Sequence, residues 1–216
     1  MNLLLAGLET IDASSQSLAC QCVTRCASLE FEGHHVKSVE LPARWDDCFH
    51  PLESVISQPW DAILILSEKV SDSIAIERIA INETDVSQKD AVGRRPRGKT
   101  IEASGDPGYW TTLPYRELAS KLTAAKFTAT PSHSAGMALA NYACYRMMHA
   151  LVQQKRHVCA GLLQLPFSGS VFSEEEAKRF MAVLLQSLDP QSVSQDKLGF
   201  DLPRAADRLG ANRSIR

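Results

Sequence analysis

Short apolar runs alternate with longer amphipathic segments along the first 188 residues of the chain. Apolar runs of this length are typical of strands buried on both faces, and the segments between them have helical periodicity. The alternation predicts an α/β fold, a single-domain α/β/α sandwich with a mostly parallel central sheet. The predicted strands are Leu3–Ala6, Val36–Leu41, Ala62–Leu66, Ile74–Ile81, Phe127–Thr130 and Val158–Leu165. The predicted helices are Ser14–Phe31, Pro51–Ser57, Pro114–Ala125, Gly136–Gln154 and Glu174–Leu188.

The end of the last predicted helix divides the chain into a domain and a tail. Ser173 and Glu176 form a capping box, and the apolar stripe that follows them ends at Leu188. Beyond it the helical pattern gives way to Ser, Gln, Asp, Arg and Gly. We therefore expect residues 1–188 to form the folded domain and residues 189–216 to be a loosely ordered C-terminal tail.

Charge and composition exclude several kinds of partner. A formal net charge of −2 provides no overall field that would attract nucleic acid or an anionic membrane. No apolar run is long enough to span a membrane, and the apolar start Met1–Gly7 is too short for a signal peptide, so we expect a cytoplasmic protein. Its six cysteines are then expected to be free thiols. Because no Cys/His cluster has zinc-ligand spacing, we expect neither a metal nor another cofactor.

Sequence patterns in a fixed order indicate a family. They are IAIERIAIN (Ile74–Asn82), GYWTTLP (Gly108–Pro114), SHSAGMALAN (Ser132–Asn141) and AGLLQLPF (Ala160–Phe167). Together they resemble pyroglutamyl peptidase I, the pyrrolidone-carboxylate peptidase family of cysteine peptidases, over nearly the whole chain except the tail. The resemblance implies a pyrrolidone-carboxylate-peptidase-like sandwich with a Cys-His-Glu triad that removes an N-terminal pyroglutamyl residue from peptides.

The resemblance also implies where the three triad members should lie. The glutamate position matches Glu77, the cysteine position falls on Ala140, and the histidine position falls on Gln164. Alanine has no nucleophilic atom, and glutamine does not exchange a proton near neutral pH. The sequence therefore predicts that the thiol peptidase mechanism is absent. Cys144 is a poor replacement, because it lies about 6 Å further along the predicted helix.

The pocket that the resemblance implies is changed as well. Leu8 and Ile11 match the positions of two family phenylalanines, and they offer an apolar wall without a stacking face. Leu66–Ser71 replaces a glycine-rich segment of the family, and its side chains restrict the approach of a ligand to the backbone. His133, in the turn before the predicted helix, is a candidate for binding the substrate and for substituting for the missing base; the alternative is a turn histidine that is simply solvated.

Glu77, which alone remains of the triad, leaves two interpretations open. In the first, a base such as Arg78 or Arg146 neutralises Glu77, and its role is structural. Alternatively, a partly buried carboxylate without its histidine partner has a raised pKa and can act as a general acid or base.

Three functions are consistent with these residues. In the first, the protein acts without covalent catalysis on a small amide, lactam or related carbonyl compound. Glu77 is then the acid/base, while Gln164 and the turn amides of Ala135 and Gly136 polarise an oxygen. In the second, the protein is a catalytically inactive pseudoenzyme that binds a peptide end or a protein partner through the basic loop Arg94–Lys99 and the tail. The third is a residual peptidase whose nucleophile was removed by engineering. The possibility of a homo-oligomer stays open.

Overall fold

The apolar runs of the sequence form the strands of a central sheet in the computed structural model, which describes residues 1–11, 17–167 and 172–189. The strands are β1 (Asn2–Leu8), β2 (His35–Leu41), β3 (Ala62–Lys69), β4 (Ile74–Glu77), β5 (Ile79–Ile81), β6 (Gly108–Trp110), β7 (Ala129–Ser132) and β8 (Cys159–Pro166). The helices are α1 (Leu18–Ala27), α2 (His50–Glu53), α3 (Tyr115–Ala124), α4 (Leu139–Gln153) and α5 (Glu174–Leu188).

The central sheet is mostly parallel, as predicted. Its six strands have the order β2-β1-β3-β8-β4-β7. Neighbouring strands run parallel throughout, except that β4 pairs antiparallel with β8. The strands β5 and β6 form a separate antiparallel pair.

Arg78 divides the predicted strand Ile74–Ile81 into two strands in different sheets. Its backbone N–H donates to the Ser132 carbonyl of the central sheet, while its carbonyl accepts from the Thr111 N–H, next to β6. The chain therefore leaves the central sheet at Arg78 and continues as β5 in the small sheet. The three-residue strand β6 was not predicted.

Helices cover both faces of the central sheet. On one face, side chains of α1, α3 and α5 form an apolar core that includes Val23, Leu122 and Phe180. On the other face, α4 and the short α2 contribute Tyr145 and Leu52 to a second core. The predicted α/β/α sandwich is confirmed. The core to which a strand side chain belongs shows on which face of the sheet it lies.

The last helix begins and ends where the sequence predicts. The Ser173 Oγ accepts from the Glu176 N–H at 3.2 Å, and the Ser173 N–H donates to Glu176 Oε2 at 2.8 Å, so the capping box is confirmed. Residues 190–216, nearly all of the predicted tail, lie outside the described residues, and the division of the chain at residue 188 stays a prediction. Among the described residues, no helix has the length and hydropathy needed to cross a membrane.

Candidate functional site

A cleft of about 470 Å³ lies beside the turn that precedes α4. Its volume is in the range of small-molecule sites. In the part of the chain that the structure describes, no acidic side chain lines it. The lining residues are Lys69, Ser132, His133, Ser134, Ala135, Gly136 and Gln164.

Strand alternation places the polar side chains of β3 and β8 on the α4 side of the sheet. Ile65 and Leu162 belong to the core beneath α4. Because successive side chains alternate between faces, Ser67 and Lys69 lie on the same side as Ile65, and Gln164 lies on the same side as Leu162. Ser67 and Gln164 are also register partners on adjacent strands.

Glu77 reaches the same side of the sheet from β4. The preceding residue, Ile76, belongs to the opposite core, so the Glu77 side chain faces α4. Glu77 is fully buried, and its Oε1 lies 3.5 Å from the Lys69 Nζ. Among the described residues, neither carboxylate oxygen makes a hydrogen bond of good geometry. Burial raises the pKa of Glu77, and the nearby Ser132 hydroxyl and Lys69 ammonium partly offset this increase.

The base that neutralises Glu77 is not one of the two named from the sequence. Arg78 donates to His133 Nε2 at 2.9 Å, and Arg146 forms ion pairs with Glu53 and Glu102. The predicted pairing with Arg78 or Arg146 is therefore wrong. Lys69 is the partner of Glu77. Because Lys69 also lines the cleft, it connects the buried carboxylate to the cleft.

The raised pKa of Glu77 predicts how stability changes with pH. Because the folded protein holds the Glu77 proton more tightly than the unfolded chain does, this carboxyl favours folding in acid. The contribution is lost as the pH rises from the unfolded pKa through the raised folded pKa. Among the described residues, Lys69 from β3 and Cys144 from α4 are the ionisable groups that interact with Glu77. We expect Glu77→Gln to gain stability relative to the wild type from acid to neutral pH.

Urea unfolding of both proteins across this pH range checks the expectation. The exposed Glu83→Gln is the matched control, because it removes a carboxylate that is not buried. A pH-independent difference for Glu77→Gln would show that Glu77 has an ordinary pKa in the folded protein.

Gln164 and Ser67 are further buried polar groups beside the cleft. Gln164 is 5% exposed and Ser67 is 1% exposed. Neither Gln164 Oε1 nor Ser67 Oγ has a hydrogen-bond partner in the described part of the chain. Folded proteins rarely leave buried polar atoms unpaired, and each such group costs stability. With the two oxygens of Glu77, they form a group of buried oxygen atoms that lack a hydrogen bond of good geometry, on one side of the sheet.

The turn before α4 forms one wall of the cleft. The φ angle of Gly136 is +76°, in the left-handed region that favours glycine, and α4 begins at Leu139 rather than at the predicted Gly136. The Gly136 N–H donates to Ser134 Oγ at 3.4 Å, so this amide is engaged within the turn. The N-cap residue Ala138 makes no side-chain hydrogen bond to the first turn of α4.

Arg78 holds His133 in the cleft wall. The guanidinium of Arg78 lies 4.3 Å from the centre of the Tyr115 ring and 5.0 Å from that of Trp110. Since His133 Nε2 accepts a hydrogen bond from this guanidinium, that ring nitrogen is not available to take a proton from a ligand.

Ala140 and Cys144 lie on α4 above the sheet. Ala140 is buried in the same core cluster as Ala135, at the start of the helix. Cys144 lies one turn further along and is fully buried, and burial raises the pKa of its thiol to about 12. The thiol is therefore protonated near neutral pH and is not an activated nucleophile.

The predicted site residues are brought together only in part. His133, Ala135, Gly136 and Gln164 line the cleft, and Glu77 contacts it through Lys69. Leu8 and Ile11 pack against the core beneath α4 and do not line this cleft, so their role stays a prediction. The described residues contain no group of three or more His, Cys, Asp or Glu side chains that could hold a metal ion.

The fold places this chain in a class of α/β proteins, those with the fold of the solved pyroglutamyl peptidases. The TM-score is 0.79 with the crystal structure of pyroglutamyl peptidase I from Bacillus amyloliquefaciens, at 20% identity over 87% of this chain and 95% of that chain. It is 0.80 with a mutant pyrrolidone carboxyl peptidase from Pyrococcus furiosus, at 21% identity over 89% of this chain and 100% of that one.

Sequence comparison assigns the family. The family model described as pyroglutamyl peptidase matches residues 1–187, and the chain belongs to this family. It is 26% identical to the pyrrolidone-carboxylate peptidase of Brevibacillus brevis, over 76% of this chain and 78% of that protein. It is 28% identical to pyrrolidone-carboxylate peptidase 1 of Photorhabdus laumondii, over 81% of this chain and 80% of that protein.

Proposed function

We propose that this family member does not use thiol chemistry and acts, without a covalent intermediate, on a small amide, lactam or related carbonyl compound bound in the cleft. Glu77 is the acid/base of the reaction. The observation that carries the proposal is the fully buried Glu77 carboxyl group, which lies 3.5 Å from a lysine that lines the cleft. Perturbed ionisable groups beside a cleft are common at catalytic sites.

The chemistry can be written for amide hydrolysis. A water oxygen bonds to the carbonyl carbon, the C–N bond breaks, and the proton that the water loses ends on the leaving nitrogen. Glu77 accepts this proton and returns it, and its raised pKa brings it nearer to the pH at which the transfer is efficient. Because Lys69 lies between Glu77 and the cleft, its ammonium gives one proton to the Glu77 carboxylate, and the lysine nitrogen then takes the proton that the water loses. The reverse transfers deliver a proton to the leaving nitrogen and restore the ion pair. Gln164 Oε1 accepts a hydrogen bond from the ligand and orients it.

One observation favours a second candidate, an inactive protein that binds a peptide end or a protein partner. Both oxygens of Glu77 are shielded from solvent, and Lys69 supplies a neutralising charge. The basic loop Arg94–Lys99 is a predicted contact surface for such a partner, but it carries less uncompensated positive charge than its composition indicates. Arg94 is paired with Asp46 and Arg97 with Asp85, so part of the positive charge is already compensated.

The inherited reaction is tested with a pyroglutamyl arylamide. We expect no arylamine release above background, because Ala140 has no nucleophilic atom and the Cys144 thiol stays protonated. The double variant Ala140→Cys, Gln164→His is the control, and we expect little recovery because Lys69 still lines the cleft and Leu8 and Ile11 offer no stacking face. Robust release by the unchanged protein would contradict the loss of peptidase activity. Strong recovery by the double variant would favour a peptidase from which only the nucleophile and the base were removed.

The role of Glu77 is tested with a panel of small amides and lactams, followed by NMR for hydrolysis. For a compound that is turned over, we expect Glu77→Gln to lower kcat by about 100-fold or more and to change KM little. The exposed Glu83→Gln should leave both constants unchanged. An unchanged kcat in Glu77→Gln would remove Glu77 from the mechanism. Binding without turnover across the panel would favour the inactive binding protein.

A further inference from the structure

The side chain of Lys69 gives the cleft a positive charge. The Lys69 side chain is 40% exposed, so its ammonium reaches the cleft while remaining in contact with Glu77. Among the described residues, none of the side chains that line the cleft is acidic. The counter-charge is Glu77, which lies beneath the lysine and is shielded from solvent. A ligand in the cleft therefore meets the ammonium and not the carboxylate.

Gln164 adds a second requirement for the ligand. Its side chain is buried to 95%, lines the same cleft, and has an Oε1 without a hydrogen-bond partner in the described residues. A carbonyl oxygen can only accept hydrogen bonds, so a ligand that satisfies it must present an N–H or O–H group. Gln164 pairs in register with Ser67 of the neighbouring strand β3, and Lys69 lies two residues after Ser67 on that strand. Strand alternation therefore places Gln164 and Lys69 on the same face of the sheet.

We propose that the cleft selects small molecules that carry both a carboxylate and an amide N–H, with Lys69 binding the carboxylate and Gln164 Oε1 accepting from the N–H. N-acylated amino acids are the simplest compounds of this class. The inference names the ligand class of the cleft in the proposed function and rests on that site, but it does not require catalysis. Lys69 and Gln164 are then the residues that determine specificity.

Binding of three matched probes to the full chain tests the inference. N-acetylglycine has the carboxylate and the N–H, N-acetylglycinamide lacks the carboxylate, and N-acetylsarcosine lacks the N–H. By NMR titration we expect N-acetylglycine to bind at least about tenfold more tightly than N-acetylglycinamide, the ratio expected for one charge-assisted hydrogen bond. We expect N-acetylsarcosine to bind more weakly than N-acetylglycine as well.

Variants assign each preference to its residue. Lys69→Met should abolish the preference for the carboxylate, while Lys69→Arg should retain it. Because Lys69→Met leaves the Glu77 carboxyl without its partner, the same substitution is also made in the Glu77→Gln protein, where both groups are neutral. Gln164→Leu should abolish only the preference for N-acetylglycine over N-acetylsarcosine.

Each opposite result overturns the inference. The inference fails if N-acetylglycine and N-acetylglycinamide bind with equal affinity, or if N-acetylglycine does not bind at millimolar concentration. It also fails if the preference for the carboxylate survives Lys69→Met both in the wild type and in the Glu77→Gln protein. This binding test can succeed or fail independently of the turnover test of Glu77→Gln. If the preferences hold and no compound is hydrolysed, the ligand class stands and the protein is a binding protein.

Discussion

Replacement of Phe180 by alanine is expected to lower the free energy of unfolding by about 3–5 kcal/mol. Phe180 is fully buried in α5, in the core on the face of the sheet opposite to the cleft. Its ring contacts those of Phe127 and Phe172, with centroid distances of 5.6 and 5.5 Å and nearly perpendicular planes. The substitution removes apolar contact area, leaves a cavity, and breaks two edge-to-face ring contacts.

Phe167→Ala is the matched control for this prediction. Phe167 is 60% exposed, so the same substitution leaves no cavity there, and we expect a change within about 0.5 kcal/mol. Urea unfolding followed by circular dichroism measures both variants. A loss in Phe180→Ala no larger than that in Phe167→Ala would mean that α5 is not packed on the sheet as the structure has it.

The fold could be predicted because its signals are local. Apolar runs marked the strands, and the capping box of Ser173 and Glu176 marked the start of α5. The division at Arg78 could not be predicted in this way. It depends on backbone hydrogen bonds to Ser132 and Thr111, which lie more than thirty residues away in the chain. Local pattern carries no information about such pairing.

The candidate site could be predicted only where a motif placed its residues. The turn residues His133, Ala135 and Gly136 and the strand residue Gln164 do line one cleft. The contact between Lys69 and Glu77 was missed because it depends on how β3, β8 and β4 are arranged in the sheet. A signal was present, however. Lys69 lies in the segment Leu66–Ser71, where side chains replace the glycines of the family pattern.

A buried amide fixes α4, which follows the turn that lines the cleft, to the neighbouring β5 strand. Asn141 is fully buried. Its Oδ1 accepts from the Ile81 N–H at 2.9 Å, and its Nδ2 donates to the carbonyls of Ile81 and Glu83 at 2.9 and 3.1 Å. The residue next to Asn141 is Ala140, at the start of the helix whose preceding turn lines the cleft. A change at Asn141 therefore affects both stability and the position of the cleft wall.

Asn141→Ala is expected to lower the free energy of unfolding by about 2–4 kcal/mol, because partly buried backbone groups lose their partners. The amide of Ile81 should also lose protection in hydrogen exchange, since its acceptor is gone. Gln153→Ala removes an exposed amide from the same helix, and there we expect a change within about 0.5 kcal/mol. If the Ile81 amide kept its protection in Asn141→Ala, β5 would be held in place without α4, and Asn141 would not be the residue that fixes α4 to β5.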